Sequence, residues 1–144
     1  TITQIVAGGE HSLALTNKGT LFSWGSNDCG KCGLETNDSQ SWKPTKISKF
    51  DGVLSFSETI TQILTFGNIL VALTSKDVLY LWKNIPEDTP PTKLNFSLNQ
   101  NENIFYIKKF FSNLLEIRTN NCRTLTKTIT EYSNISNSFI LKDI

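Results

Sequence analysis

The chain repeats part of itself at a distance of 58 residues. Residues 2–24 align without a gap on residues 60–82, and 11 of these 23 aligned positions are identical. Further along, Pro44-Thr45-Lys46-Ile47 is echoed by Pro91-Thr92-Lys93-Leu94. A third, weaker copy begins with Ile104-Phe105-Tyr106-Ile107, which matches the opening of the first two. Self-similarity at this spacing is typical of repeat architectures, in which each unit packs against its neighbours.

The spacing predicts one segment, residues 1–144, made of three units at about 2–59, 60–103 and 104–144. The second unit is 14 residues shorter than the first. Most of this difference follows the tryptophan, since Trp24 to Pro44 is a step of 20 residues and Trp82 to Pro91 a step of 9. One arm of the unit has therefore been shortened while the rest is kept.

Each unit is predicted to consist of short β-strands separated by turns. In the first unit, strands at 12–16 and 20–24 flank Asn17-Lys18-Gly19, a three-residue hairpin loop whose glycine suits a left-handed conformation. The second unit repeats this around Ser75-Lys76-Asp77, and the third has Asn120-Asn121 between strands at 114–118 and 124–129. We predict an all-β fold, a partial β-propeller of about three degenerate blades. A β-sandwich is the rival fold, but it does not explain the duplication.

The first unit also carries a specific motif. Its residues are Val6-Ala7-Gly8-Gly9-Glu10-His11-Ser12-Leu13-Ala14-Leu15-Thr16, Gly19, Phe22-Ser23-Trp24-Gly25-Ser26-Asn27 and Gly30-Lys31-Cys32-Gly33-Leu34. Around these residues, over about 45 positions (2–47), the chain resembles one repeat of the regulator of chromosome condensation family. The second unit departs from the pattern, with Ile69 at the histidine position and no Gly-x-x-Gly arm, and the third keeps mainly hydrophobic spacing.

The resemblance implies that the motif residues have structural roles. Gly8 and Gly9 are expected to form a tight turn, His11 to hydrogen-bond backbone groups between strands, and Trp24 to pack the blade. The full set of predicted signature residues is Gly8, Gly9, His11, Gly19, Trp24, Gly25, Gly30, Gly33, Gly67 and Trp82. Known members of the family form seven-bladed propellers, so the remaining blades are expected in the same longer chain or in another chain.

Composition argues against several classes of partner. The net charge is +1 and the lysines are scattered, whereas nucleic-acid binding needs a concentrated basic surface. The longest apolar runs, Ile69–Leu73 and Val78–Trp82, are too short to span a membrane. Three cysteines, an odd number, do not make a secreted disulfide framework. An intracellular protein, in the cytoplasm or nucleus, is therefore expected.

The Cys-x-x-Cys at Cys29 and Cys32 is the one candidate for metal or redox chemistry. A zinc site needs four ligands, and His11 and Cys122 are the only other histidine or cysteine. Thioredoxin-like chemistry needs a helix N-terminus in a βαβ unit, which the strand pattern does not supply. In the family pattern, Cys32 takes an apolar position. We therefore expect no catalytic, cofactor-binding or metal-binding residue.

Two functions of different classes fit these observations. The first is a protein-interaction segment of a propeller, which binds a protein partner through its blade loops while the sheets hold the loops in place. The alternative is part of a guanine-nucleotide exchange factor for a Ran-like small GTPase, which the resemblance to the family implies. The repeat motif is structural and does not decide between them, because fold analogy alone supports either activity.

Overall fold

The computed structural model describes residues 1–26, 40–48, 50–66, 69–83, 91–94, 96, 98–110, 114–128 and 140–142. Every regular element in these ranges is a β-strand, and the strands form three four-stranded antiparallel sheets. Sheet 1 contains β1 (Ile2–Ala7), β2 (His11–Thr16), β3 (Leu21–Ser26) and β4 (Gln40–Lys46). Sheet 2 contains β5 (Ile60–Phe66), β6 (Ile69–Thr74), β7 (Leu79–Lys83) and β8 (Thr92–Leu94). Sheet 3 contains β9 (Ile104–Phe110), β10 (Leu114–Thr119), β11 (Thr124–Thr128) and β12 (Ile140–Lys142). Each sheet is a meander whose spatial order follows the chain.

The sequence repeat is also a repeat of strand register. In sheet 1, Ile2 pairs with Thr16 and Gln4 pairs with Leu15, so the register of the β1–β2 pairing shifts between these two pairs. Sheet 2 has the same irregularity, with Ile60 opposite Thr74 and Gln62 opposite Leu73. In sheet 3 the corresponding shift lies between Arg118 and Thr119 on β10. The three sheets are therefore copies of one another in pairing as well as in strand count.

The predicted hairpins are confirmed, with one difference in the third. Gly19 (φ 76°) and Asp77 (φ 58°) take the left-handed conformation expected of them. In the third hairpin the left-handed residue is Cys122 (φ 61°), one position after Asn120-Asn121. The reason is the common register, because the amides of Gly19, Asp77 and Cys122 each donate to the carbonyl oxygen of a threonine three residues earlier.

The sheets stack face to face, and side chains on alternate residues of each strand point to opposite faces. We call the face of a sheet that points toward the next sheet along the chain its forward face, and the opposite one its backward face. The forward face of sheet 1, the backward face of sheet 2 and the start of the link between them form one hydrophobic cluster: Leu13, Leu15, Leu21, Ile47, Phe50, Ile60, Ile63, Leu70, Ala72, Tyr80 and Trp82. The forward face of sheet 2 and the backward face of sheet 3 form the other: Phe66, Ile69, Val71, Leu73, Leu79, Leu81, Leu94, Ile104, Ile107, Leu115, Ile117 and Leu125.

Sheet 2 is covered on both faces, so all six residues of its β6 strand are buried. That burial explains why 69–74 is a continuous apolar run, whereas β10, in sheet 3, alternates between half-buried and buried residues. The expected fold class is confirmed: the described residues are all-β and form a partial propeller of three blades. The predicted unit boundaries fall in the links between the sheets and stay a prediction.

Glutamine side chains link the inner strands of neighbouring sheets. Gln4 on β1 donates from Nε2 to the carbonyl oxygen of Ile63 (2.7 Å) and accepts from the Ile63 amide through Oε1 (2.8 Å). Gln62 on β5 repeats the arrangement with the Phe105 carbonyl (3.4 Å) and the Ile107 amide (3.1 Å) of β9. Because β5 and β9 are edge strands, these bonds satisfy backbone groups that no ladder partner reaches.

Candidate functional site

The connections at one end of the three sheets form a surface that the structure describes almost completely. It comprises the hairpins at 17–20, 75–78 and 120–123 and the links at 47–59 and 98–103, and we call it the loop surface. Each hairpin is tied to the start of its own inner strand, as in the bond from the Ser75 amide to the Thr59 carbonyl (2.8 Å). The second hairpin also reaches the next sheet, because Asp77 Oδ1 accepts from the Ile104 amide (3.0 Å). The loops are therefore fixed to the stacked sheets.

A buried glutamate anchors the first link. Glu58 is 8% exposed, and its Oε2 accepts from the amide and the hydroxyl of Ser55 (2.9 and 2.7 Å). Its Oε1 accepts from the hydroxyl of Thr74 at the end of β6 (2.6 Å). Burial acts to raise the pKa of Glu58, but the hydrogen bonds from Thr74 and Ser55 and the charge of Lys76 outweigh it, so the pKa lies below its ordinary value.

A second glutamate repeats this arrangement in the next link. Glu102 accepts from the Asn99 amide (2.8 Å) and from the Thr119 hydroxyl (2.6 Å), and it pairs with the guanidinium of Arg123. Burial again acts to raise the pKa of Glu102, and the bonds from Thr119, Asn99 and Arg123 again bring it below the ordinary value. Both carboxylates are therefore ionised at neutral pH and hold a loop against the end of a strand.

Neither glutamate was predicted from the sequence. The signal that would have found them is their position, since Glu58 and Glu102 each stand two residues before the first isoleucine of an inner strand, Ile60 or Ile104. A second signal is the threonine that ends the following strand, Thr74 or Thr119. Taken alone, each reads as an ordinary turn residue.

One large side chain on the loop surface is left uncovered. Phe56 is 95% exposed, although its backbone is held: Lys76 Nζ donates to the Phe56 carbonyl (2.9 Å) and to the Ser55 hydroxyl (3.0 Å). The next residue, Ser57, has a φ of 59°, which turns the chain back toward Glu58. A tethered loop thus presents an aromatic ring to solvent.

The predicted signature residues occupy different environments. A Cβ on Gly8 would lie 2.3 Å from the His11 ring, so glycine at this position lets the imidazole pack on the backbone. The backbone of Gly8 is not in the left-handed conformation. A Cβ on Gly9 would meet nothing within 4 Å. His11 is 6% exposed, and its carbonyl accepts from the Gly8 amide (2.8 Å). The tight turn thus depends on Gly8, and the structure gives no steric reason for glycine at position 9.

The two tryptophans also differ. Trp82 is 6% exposed and lies in the cluster between sheets 1 and 2. Trp24, at the equivalent position of sheet 1, is only half-buried and belongs to neither cluster. Trp24 lies on the backward face of sheet 1, which no other sheet of the described residues covers, so the expectation that it packs the blade stays a prediction. Gly30, Gly33, Gly67, Cys29 and Cys32 lie outside the described residues.

Among the residues that the structure describes, no group of three or more histidine, cysteine, aspartate or glutamate side chains is placed to hold a metal ion. A cleft of about 270 Å³ opens beside the second hairpin, lined by Asp77, Val78, Lys93, Leu94, Phe96 and Leu98. Asp77 is already engaged by the Ile104 amide. The described part of the chain also contains no helix long and apolar enough to cross a membrane.

Four-stranded meanders, stacked face to face with their inner strands side by side, define a segment of a β-propeller. Residues 2–67 of the chain carry repeats of the regulator of chromosome condensation (RCC1) repeat family, whose models match residues 2–31 and 18–67. The predicted resemblance is thereby confirmed.

The proteins similar to this chain are longer than it is. The "RCC1 domain-containing protein RUG3, mitochondrial" of Arabidopsis thaliana is 33% identical over 112 residues, which are 70% of this chain and 24% of the relative. The "RCC1-like G exchanging factor-like protein" of Mus musculus is 34% identical over 83 residues, 58% of this chain and 17% of the relative. The structure of Prp20p from Saccharomyces cerevisiae, described with its binding properties to Gsp1p and histones, superposes with a TM-score of 0.70 and 20% identity, covering 97% of this chain and 37% of that one. The chain thus spans about a quarter or less of the two curated relatives and 37% of the Prp20p chain.

Proposed function

We propose that this chain is a protein-interaction segment of an RCC1-type propeller and that its loop surface binds a protein partner. The observation that carries the proposal is Phe56, an aromatic ring 95% exposed on a link whose base is fixed by buried Glu58. We further propose an intracellular setting, in the cytoplasm or nucleus, since three cysteines do not suit a secreted disulfide framework.

Fixed presentation is what makes Phe56 a good anchor. Aromatic side chains that fill a pocket of the partner dominate the energy of many protein interfaces. An anchor on a pre-ordered loop binds more tightly than one on a mobile loop, because less conformational entropy is lost on association. The bonds from Lys76 and Ser55 supply that order. The partner is accordingly expected to offer an apolar pocket that takes one aromatic ring.

Replacing Phe56 in the full-length protein tests the proposal. Phe56→Ala is expected to reduce recovery of the bound partner about tenfold or more, as expected when an interface anchor is lost. The folded state should be unaffected, because the ring contacts little of its own chain. Recovery is measured by quantitative mass spectrometry of the complex purified from its own cells, alongside the unchanged protein.

Phe105→Ala is the matched control. Phe105 is also a largely exposed phenylalanine, 70% accessible, but it lies on strand β9 and not on a link. Its replacement should leave partner recovery within about twofold of the unchanged protein, as for most non-anchor surface residues. Equal losses from the two variants, or no loss from Phe56→Ala, would refute a specific site on the loop surface.

Nucleotide exchange on a Ran-like small GTPase is the second candidate. It is favoured by the similarity to the mouse exchanging-factor-like protein and by the fold shared with Prp20p, which is described as binding Gsp1p. The test is the release of labelled GDP from a panel of small GTPases in the presence of the full-length protein. Accelerated release that Phe56→Ala abolishes would make the GTPase the bound partner. No acceleration for any GTPase would exclude exchange within that panel and leave the interaction proposal to its own test.

A further inference from the structure

The forward faces of the three sheets can be compared position by position. In sheet 1 the face is built from two cross-strand rows, Val6–Leu13–Ser23 and Gln4–Leu15–Leu21. In sheet 2 the same rows are Leu64–Val71–Leu81 and Gln62–Leu73–Leu79. Each set joins a mainly apolar patch to the glutamine that links the inner strand to the next sheet. This is the surface on which the following blade packs.

Sheet 3 has replaced the whole set. Its two rows are Lys108–Glu116–Thr126 and Tyr106–Arg118–Thr124. Lys108 stands directly opposite Glu116, and Arg118 Nε donates to Glu116 Oε1 (3.0 Å), which raises the pKa of Arg118. The side chain of Arg118 is 36% exposed. A tyrosine now occupies the position of the linking glutamine.

The central row of the backward face of sheet 3 shows none of these changes. Its row Ile107–Ile117–Leu125 is as apolar as the row Ile63–Ala72–Tyr80 of sheet 2, and its three residues are 7%, 0% and 1% exposed. Drift of a degenerate repeat would affect both faces alike. Among the described side chains, the backward face carries a charge only on its edge strand, where Lys109 Nζ lies 5.3 Å from the centroid of the Phe66 ring. On the central strand β10, the charged residues Glu116 and Arg118 are confined to the face on which a further blade would stack.

Stacking a blade on that face carries a large energetic cost. Lys108 and Arg118 would lose their contact with water, as would the 16% of the Glu116 side chain that is exposed, and removing a charge from water is unfavourable unless excellent pairing replaces it. The apolar area that stabilises the two existing interfaces is absent, and no glutamine is available to bind the edge of the next inner strand. A polar outer face is the feature that terminal repeats of a stacked array require.

We propose that the forward face of sheet 3 is a capping face that ends the apolar stacking of blades, and that a further blade is received only by the backward face of sheet 1. That receiving face is mainly apolar, and no sheet of the described residues covers it: Ile2 and Ile5 are 57% and 66% exposed, whereas their counterparts Ile60 and Ile63 are 3% and 0% exposed. Its occupant is a blade with an apolar forward face and a linking glutamine, like sheets 1 and 2. A second copy of this chain does not fit, because its free forward face is the capped one.

Restoring the missing face tests the proposal on the 144-residue chain. A variant carrying Tyr106→Gln, Lys108→Leu, Glu116→Val, Arg118→Leu, Thr124→Leu and Thr126→Leu has the forward face of sheet 2 on sheet 3. It is expected to form head-to-tail oligomers in analytical ultracentrifugation, because its two ends are now complementary and a heterologous contact of this kind propagates. The unchanged chain should stay monomeric at the same concentration.

Adding Ile5→Lys to that variant is the control, because a lysine on the receiving face should return it to monomer. Association that survives Ile5→Lys, head-to-tail association of the unchanged chain, or a folded variant that stays monomeric would each overturn the proposal.

A second measurement does not depend on the folding of a six-fold variant. In the full-length protein with its native cysteines replaced by serine, Arg118→Cys should react freely with a maleimide. Leu73→Cys, at the equivalent position of sheet 2, should react about a hundredfold more slowly, because a buried thiol reacts only from opened states. Equal protection of the two thiols would show that a blade covers sheet 3, and the capping face would be disproved.

Discussion

At the scale of single residues, Glu58 and Glu102 make the loop surface sensitive to acid. Both carboxylates have a pKa below the ordinary value of 4.5, so the folded state favours their ionised forms more than the unfolded chain does. Their contribution to stability is therefore complete above pH 4.5 and is lost as the pH falls through the folded-state pKa. The loops should loosen before the cores between the sheets do.

Glutamine substitution measures this contribution. Glu58→Gln and Glu102→Gln should each lower the free energy of unfolding at pH 7 by about 1–3 kcal/mol, since buried donors lose a charged acceptor. The double variant should also lose less stability than the unchanged chain between pH 7 and pH 3, because glutamine does not titrate. Urea denaturation at the two pH values gives both quantities. Asp51→Asn, at a side chain 65% exposed, is the control and should have little effect; an equal acid loss in the double variant would contradict the assignment.

At Gly25 the backbone conformation requires a glycine. Its φ is 111°, and a Cβ there would lie 2.6 Å from the Glu10 carbonyl oxygen. Gly25→Ala should therefore cost about 1–3 kcal/mol, the usual range for a side chain forced into such a conformation. Gly9→Ala, in the adjacent turn between β1 and β2, should be close to neutral, because nothing lies within 4 Å of its added Cβ. Thermal unfolding compares the two variants; equal costs would refute the steric account.

At the scale of the strand, the linking glutamines hold one sheet to the next. Gln4→Ala removes both partners of the Ile63 backbone and should cost about 1–3 kcal/mol. Gln62→Ala should cost less, because its bonds of 3.4 and 3.1 Å are longer than the 2.7 and 2.8 Å bonds of Gln4. Faster hydrogen exchange at the Ile63 amide in Gln4→Ala would identify the broken bond directly. An unchanged exchange rate there would show that the link contributes nothing.

The sequence predicts an element well when the residues that determine it lie close together along the chain. The hairpin around Gly19 is predictable because turn residues and strand alternation are encoded within a few positions. The repeat also predicts the number of sheets. The role of Gln4 is not predictable in this way, since a polar residue in a strand is read as solvent-facing until the neighbouring sheet is known. Trp24 shows the converse, because its burial depends on a face that another blade must cover.

At the scale of the whole molecule, the middle sheet should be the most stable part. Its β6 strand is buried at all six positions and lies between two hydrophobic clusters, whereas sheets 1 and 3 each pack on one side. Amide hydrogen exchange should therefore be slowest in β6 and faster in β2 and β10, because outer units of a stacked array open at lower free energy. Slower exchange in either outer strand would show that stability is not set by stacking.

The one-sided polarity of sheet 3 also matters during synthesis. Once Leu94 has left the ribosome, sheet 2 can form, but its apolar forward face has no cover until the strands that end near Leu125 emerge. About thirty residues separate these points, and at ribosomal speeds of roughly 5–20 residues per second this takes about 2–6 s. During that interval the nascent chain exposes a hydrophobic surface, and the arrival of a blade with a charged outer side closes it without creating another. The order of the blades along the chain thus limits how long the growing polypeptide is exposed to aggregation.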